Sequence, residues 1–134
     1  MANIGARLSA RQSIETALQT FKELSDKQDY RGFDQRLMNE VRLIDATPTG
    51  DSTWELDITE PWGNLNGTRI RIKCSVIQHG RTMALLRGTI ESVDGKIVYA
   101  TAEHHKVAVP TKPDHAEHLQ ELRVSIGKES KGRL

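Results

Sequence analysis

Four histidines near the end of the chain are the first side chains that could do chemistry, because imidazole nitrogens are common ligands of transition metals. His104 and His105 are adjacent, whereas His115 and His118 have the i, i+3 spacing that places two side chains on one face of a helix. No cysteine or carboxylate completes a known zinc-ligand spacing beside them. The pattern therefore favours ordinary surface histidines, and we expect neither a metal nor another cofactor.

Three cationic or potentially cationic side chains form a second candidate set: Arg81, His105 and Lys106. Guanidinium and ammonium groups suit phosphate recognition, and Arg81 lies in a short turn between two strand-like segments. The alternative is that all three are solvated charges at the ends of strands.

The single cysteine, Cys74, alternates with Ile72 and Val76 in an apolar pattern. Such a cysteine is typically a small core residue, so we do not expect a nucleophile. Trp54 and Trp62 are interpreted as packing residues in the core and in a loop, with ligand stacking as the alternative.

A loop rich in asparagine and glycine, residues 60–67 (EPWGNLNG), interrupts the strand-like pattern. Asparagine tolerates left-handed backbone conformations and bonds to its own backbone, so Asn64 and Asn66 on their own indicate a turn.

Length and composition limit the possible classes of protein. The 134 residues suit one domain with one core, and the 37% hydrophobic content is low but not that of a disordered chain. The formal net charge is +1 with both signs interspersed, so we expect no nucleic-acid partner. One cysteine allows no internal disulfide and favours a reducing compartment.

No stretch approaches the roughly 20 apolar residues of a transmembrane helix, and no secretory signal is visible. Residues 1–14 contain Arg7 and Arg11, two serines and no acidic residue. Mitochondrial transit peptides share that composition. We expect a cytoplasmic protein, with a mitochondrial location as the alternative.

The elements that must position these side chains begin with a helix predicted over residues 9–28. Its apolar positions follow the i, i+3, i+4, i+7 rhythm of one buried face and are Ile14, Ala17, Leu18, Phe21 and Leu24. Ser9 with Gln12 fits a capping box at its start. Asp114 with Glu117 similarly predicts a short helix beyond Pro110 and Pro113.

Residues 41–109 are typical of strands. A first strand over 41–46 and a turn over 47–51 precede an alternating segment over 54–59. Three longer strands follow, over 69–78, 82–92 and 97–109, and they predict a meander. Asp94-Gly95 predicts a two-residue turn between the last two, with positive φ at both residues. The fold class is therefore α+β, an antiparallel sheet packed on the N-terminal helix, with dimerisation as a further means of completing it.

Residues 69–106 resemble the C-terminal half of a PaaI-type hotdog-fold acyl-CoA thioesterase. In that family a strand ends at a G-[KR]-T turn, a D-G-K hairpin follows the next strand, and the last strand ends in an H-x-K-type motif. This chain has Gly80-Arg81-Thr82, Asp94-Gly95-Lys96 and His104-His105-Lys106 at those places. Upstream, Asn64-Leu65-Asn66-Gly67-Thr68 resembles the N-x-x-G-T that opens the active-site loop of the family. The resemblance covers residues 33–109.

The resemblance implies a division of the chain into an N-terminal helical segment (1–32), a hotdog-like domain (33–110) and a C-terminal tail (111–134). It also implies that Asn64 polarises the thioester carbonyl or holds the water, and that Gly67 permits close backbone approach. Arg81, His105 and Lys106 would then bind the phosphates of coenzyme A. In the family, a histidine-glycine-glycine loop, a long central helix with an acidic residue and one more strand follow Thr68, whereas here Thr68 leads directly into the next strand.

The implied function is that of a hydrolase of fatty acid metabolism, which splits fatty acyl-CoA into free acid and coenzyme A. Homo-oligomers are expected, because members of the family join their sheets edge to edge. The missing helix and acid favour an alternative, a non-catalytic remnant that serves as a dimerisation or acyl-CoA-binding module. A small nucleic-acid-binding β domain is a third hypothesis, which the near-neutral charge and the lack of an aromatic stacking platform oppose.

Overall fold

In the described part of the chain, two helices with defined bounds pack beside a five-stranded antiparallel sheet, and the positions described between 113 and 124 are helical as well. The computed structural model describes residues 3–59 and 67–110, together with positions 112–114, 116, 117, 120, 121 and 124. The elements, in chain order, are α1 (Ile4–Lys27), α2 (Phe33–Glu40), β1 (Arg42–Ala46), β2 (Ser52–Asp57), β3 (Arg69–His79), β4 (Met83–Ser92) and β5 (Val98–Val107). The predicted α+β class with an incomplete antiparallel sheet is confirmed.

Helix α1 begins five residues earlier than its apolar pattern predicted. Asn3 is the N-cap, and its side-chain oxygen accepts a hydrogen bond from the backbone N–H of Ala6 at 2.7 Å. The capping box predicted at Ser9 is therefore wrong, because Ser9 lies inside the helix and its carbonyl accepts a bond from the Ser13 hydroxyl. A better cap was available upstream, followed by residues that propagate a helix.

The eight-residue helix α2 was not predicted. It starts after Gly32 and carries Asp34 in its first turn, where the negative charge of a carboxylate interacts favourably with the helix dipole. The Tyr30 hydroxyl donates to this carboxylate at 2.6 Å, and this hydrogen bond raises the pKa of Tyr30. Such a short helix gives too few turns for its periodicity to stand out in a sequence.

The strand order β1-β2-β3-β4-β5 follows the chain, and every neighbouring pair is antiparallel. The predicted meander is thus confirmed and extends to five strands. The turn between β4 and β5 differs from the prediction, because only Gly95 has a positive φ, at 76°. Asp94 instead accepts hydrogen bonds from the Ser92 hydroxyl at 2.6 Å and the Lys96 N–H at 3.0 Å, which lower its pKa.

The two faces of the sheet differ in chemistry. On the face toward the helices, here the helix-side face, Trp54 pairs with Ile72, Leu56 with Ile70, and Val76 with Leu86. The core cluster lies at one end of this face and consists of Leu56, Ile58 and Ile70, with Leu37, Ile72 and Ile90 packed against it. Leu43 and Ala46 of β1 are also buried. Together with Leu56, Ile58 and Ile70 they are the buried hydrophobic residues of the described chain, and the core is therefore small.

On the other side, the outer face, ion pairs connect neighbouring strands. They are Arg42–Asp57 at 3.1 Å, Arg69–Asp57 at 2.7 Å, Arg71–Glu55 at 3.0 Å, Lys73–Glu91 at 2.9 Å and Arg87–Glu103 at 2.7 Å. Three of these pairs join directly opposite residues and two join diagonal neighbours, and opposite charges at either spacing stabilise the sheet. A slip of one residue would turn the charged side chains toward the apolar face. The alternation of charged and apolar residues in β3 therefore sets both faces at once.

Asp57 allows a test of this outer face. Hydrogen bonds from Arg69 and Arg42 hold the pKa of Asp57 below its ordinary value. A depressed folded-state pKa adds stability that is present above the unfolded pKa and is lost as pH falls through the folded one. We expect Asp57→Asn to lower the melting temperature slightly at neutral pH, with the difference from wild type shrinking as the pH falls below the ordinary aspartate pKa of about 3.9. Melting curves between neutral and acidic pH check this, and a difference that grows in acid would contradict it.

Candidate functional site

An apolar hollow lies between the helices and the helix-side face of the sheet. Its volume is about 460 Å³, and its lining residues are Ile14, Ala17, Leu18, Phe21, Leu37, Met38, Val41, Trp54, Ile72 and Cys74. Four of these belong to the apolar stripe predicted for the N-terminal helix. The stripe faces the sheet as expected, but an open space remains between the two.

The hollow exists because α1 is held beside the edge of the sheet. Arg7 forms an ion pair with Asp45, and the Arg11 guanidinium donates to the backbone carbonyls of Leu43 and Ile44, each at 3.2 Å. These contacts join the first half of α1 to the outer edge of β1. The helix therefore covers the apolar face only in part, as predicted, and the middle of β3 is left beneath an open space.

The polar atoms at the floor of the hollow bond to one another. The Trp54 indole N–H donates to the Ser52 hydroxyl at 2.9 Å. Burial raises the pKa of the half-buried Cys74 thiol, and a hydrogen bond with Ser52 opposes this only in part. Cys74 is therefore a protonated thiol at neutral pH, in agreement with its interpretation as a packing residue.

The loop that resembles the active-site loop of the thioesterases is described only at its end. Asn64, Asn66 and Trp62 lie outside the described residues. Gly67 has a φ of 81°, and its N–H donates to the Ile58 carbonyl at 2.8 Å. Among the described residues, no heavy atom beyond the chain neighbours lies within 4 Å of the position that a Cβ would occupy at Gly67, and its positive φ favours glycine there.

The structure brings together two of the three predicted phosphate-binding residues. Arg81 and Lys106 line one depression of about 300 Å³ at the β3–β4 turn. His105 lines a different depression, of about 370 Å³, together with Gln78 and Leu85. Consecutive residues of a strand point to opposite faces, so His105 and Lys106 cannot serve the same site.

His79 joins Arg81 and Lys106 in their depression. His79 pairs with Ala84, and Ala84 pairs with Lys106. His79, Ala84 and Lys106 therefore form one row across β3, β4 and β5. Ala84 shares a face with Leu86, and this row therefore lies on the helix-side face, like the hollow. The pairing register shows that His79 and Lys106 share a face, and sequence spacing alone does not.

The described residues contain neither a cluster of metal-ligating side chains nor a membrane-spanning helix. Within the described residues, no group of three or more histidine, cysteine, aspartate or glutamate side chains could hold a metal ion. His104 is an exposed residue of β5 opposite Leu86, whereas His115 and His118 lie outside the described residues. None of the described helices is both long and apolar enough to cross a membrane.

No protein-family model, curated protein or solved structure matches this chain. The resemblance to the hotdog thioesterases therefore rests on the motifs in the sequence. The structure adds the geometry of two separate surfaces on one face of the sheet, an apolar hollow and a cationic depression.

Proposed function

We propose that this chain binds fatty acyl-CoA, with the acyl chain in the apolar hollow and the phosphates of coenzyme A at Arg81 and Lys106. The hollow is the observation that carries the proposal. Small-molecule sites are concave, mostly apolar and about 300–1,000 Å³ in volume. The hollow meets all three criteria, at about 460 Å³ with ten lining residues that are almost all hydrophobic.

The cationic depression supports a ligand that has an anionic end. Arg81 and Lys106 form no ion pair with any carboxylate in the described part of the chain, which leaves both groups available for an anion. Along β3, His79 in the depression lies five residues and therefore about 17 Å from Cys74 in the hollow, at roughly 3.3 Å per residue. A long ligand with an apolar tail and a phosphorylated head can therefore lie along one face of the sheet and contact both surfaces.

Hydrolysis of the thioester, which the resemblance implies, has less support from the site. Thioester hydrolysis needs a base for the water and donors for the oxyanion. Among the described residues that line the hollow there is no carboxylate and no histidine, and Cys74 is held as the thiol. We therefore favour binding without turnover, the non-catalytic alternative, and treat the thioesterase motifs as a sign of ancestry.

The experiment is a titration of the protein with acyl-CoA esters of increasing chain length, followed by the fluorescence of Trp54. Trp62→Phe leaves Trp54 as the only tryptophan, and Trp54 lines the hollow. We expect saturable binding that tightens by up to about fourfold per methylene, which corresponds to about 0.8 kcal/mol per buried CH₂. Binding that does not depend on chain length would contradict an acyl site in the hollow.

Matched variants test the head-group half of the proposal. Arg81→Ala with Lys106→Ala should weaken acyl-CoA binding by roughly tenfold or more, the value of a charge-assisted hydrogen bond. The same pair should leave free fatty acid binding unchanged, because a fatty acid has no phosphate. His105→Ala is the control on the opposite face, and an equal loss in that variant would place the phosphates elsewhere.

Release of free thiol from the same esters separates binding from hydrolysis. We expect none above the spontaneous rate. Turnover that Asn64→Ala removes would contradict a purely binding role and would support a working thioesterase whose base lies outside the lining of the hollow.

A further inference from the structure

The two edges of the sheet differ in how far they are covered. The edge of β1 is covered by α1, whose Arg11 donates to two of the backbone carbonyls of β1. At the other edge, all ten residues of β5 are exposed, and within the described part of the chain β4 is the only strand that pairs with it. A long, exposed edge strand with unpaired backbone groups is a template for another strand.

The direction of the backbone groups in β5 follows from one hydrogen bond. Ala108 donates its N–H to the carbonyl of Thr82 at 2.7 Å, one step beyond the pair Met83–Val107. In an antiparallel ladder, bonded and non-bonded pairs alternate. The even-numbered residues of β5 from 100 to 106 therefore bond to β4. The odd-numbered residues from 101 to 107 direct their N–H and C=O groups toward the open edge.

We propose that a second copy of this chain pairs with β5 in antiparallel orientation, about a two-fold axis at His104. A two-fold axis perpendicular to the sheet keeps each face on its own side, so paired residues must share parity. In this register Thr101 lies opposite the partner's Val107, and Glu103 lies opposite the partner's His105. Both pairs consist of odd-numbered residues, whose backbone groups are the free ones.

Charge favours this register over the two registers in which the axis is shifted by one residue. A shift of the axis to Glu103 places two Glu103 carboxylates directly opposite each other, which is unfavourable. A shift to His105 places Glu103 opposite the partner's Val107, which leaves this carboxylate without a polar partner across the axis. With the axis at His104, each Glu103, already bound to Arg87 at 2.7 Å, meets an imidazole that can donate a hydrogen bond.

Apolar exposure along β5 supports the same partner. Val107 is 59% exposed. The proposed pairing places it against the side chain of Thr101, whose methyl group it can contact. The result is a continuous sheet formed by both copies, with the two hollows on the same side of it.

A cysteine scan tests the axis. In a Cys74→Ser background, His104→Cys should form an intermolecular disulfide, because directly opposed non-bonded residues have Cα atoms about 4.5 Å apart, within the disulfide range. The controls move the cysteine by one or two residues, to Ala102, Glu103, His105 or Lys106. Each of these should cross-link much less than His104→Cys under the same mild oxidation. The strongest cross-link at any control position would overturn the register.

Sedimentation of the reduced protein tests the pairing itself. Thr101→Pro removes an N–H that faces the open edge and leaves every bond to β4 in place. Self-association should become roughly 30-fold weaker, which corresponds to two lost backbone hydrogen bonds per dimer. Thr101→Val retains the N–H and should associate like wild type.

A wild-type protein that stays monomeric at all concentrations would overturn the proposal. So would a dimer that Thr101→Pro does not weaken, because its interface must then lie elsewhere, for example at the hollow. Circular dichroism shows whether the proline variant is folded, and the cysteine scan decides the matter if it is not.

Discussion

Replacement of both Leu18 and Phe21 with serine is expected to abolish soluble expression. Both side chains are half-buried and form the α1 wall of the hollow, opposite Trp54 and Ile72. Full truncation of a buried leucine or phenylalanine costs about 2–5 kcal/mol, so half-burial suggests about 3–5 kcal/mol for the pair. Small domains are commonly stable by only about 5–15 kcal/mol, and this core is small.

A second double variant on the same helix serves as the control. Ile4 and Leu8 are 79% and 61% exposed, so Ile4→Ser with Leu8→Ser should leave solubility and melting almost unchanged. Both pairs lose similar apolar area and similar helix propensity. Equal soluble yields and melting temperatures for the two double variants would show that α1 does not depend on its contacts with the sheet.

The meander could be predicted because each of its long strands has one apolar and one polar face. In β3, Ile70, Ile72 and Cys74 alternate with Arg71 and Lys73, and only a half-buried strand reconciles that pattern with water on one side. The details of the turn could not be predicted. The hydroxyl of Ser92 bonds to Asp94 and also accepts the Ile97 N–H at 3.0 Å, and these bonds favour a longer loop than Asp94-Gly95 alone suggests.

The helices show which signals are weak in a sequence. The apolar stripe of α1 was found, but its start was misplaced because a local cap at Asn3 prevails over the first apolar position. Helix α2 was missed because eight residues span little more than two turns. Its Leu37 nevertheless packs against the core cluster, so the burial of Ile70 depends on an element that the sequence hardly signals.

For the candidate site, the residue types could be predicted and the geometry could not. Arg81 and Lys106 were predicted to bind phosphate from their type and position, and they share a depression, whereas their binding of phosphate stays a prediction. His105 was grouped with them although alternation in a strand places it on the other face, a conflict that the strand prediction already contained. The hollow depends on Arg7 and Arg11 holding α1 at the sheet edge, and such long-range contacts leave no trace in local periodicity.

The hollow and the β5 edge have a common physical origin. A sheet with one apolar face needs a cover over its whole width, yet in the described residues the helices lie over the β1 side. Toward β5 the strand residues become exposed. A bound acyl chain would fill the gap beneath α1, and a second copy would satisfy the far edge. We therefore expect that ligand and self-association each raise the stability of a fold with a small core.

Ile70→Ala is expected to be the most destabilising single truncation, at about 2–4 kcal/mol. Ile70 is 4% exposed, lies opposite Leu56 and belongs to the core cluster with Leu56 and Ile58. Removal of its side-chain atoms leaves a cavity that few neighbours can fill, because the cluster is bounded by the rigid β2–β3 ladder. Urea denaturation monitored by circular dichroism measures the loss as a lower midpoint at an unchanged slope.

Ile77→Ala is the matched control, since it makes the same chemical change in the same strand. Ile77 is 47% exposed and lies at the irregularity between Val76 and Gln78, so its truncation should cost no more than about 0.5 kcal/mol. A large loss for Ile70→Ala beside a small one for Ile77→Ala would place the stability of the sheet at the Leu56 end. Similar losses would instead mean that the β3–β4 turn, where Arg81 lies, is packed as tightly as the core, and the cationic depression beside it would then be too rigid to adapt to a ligand.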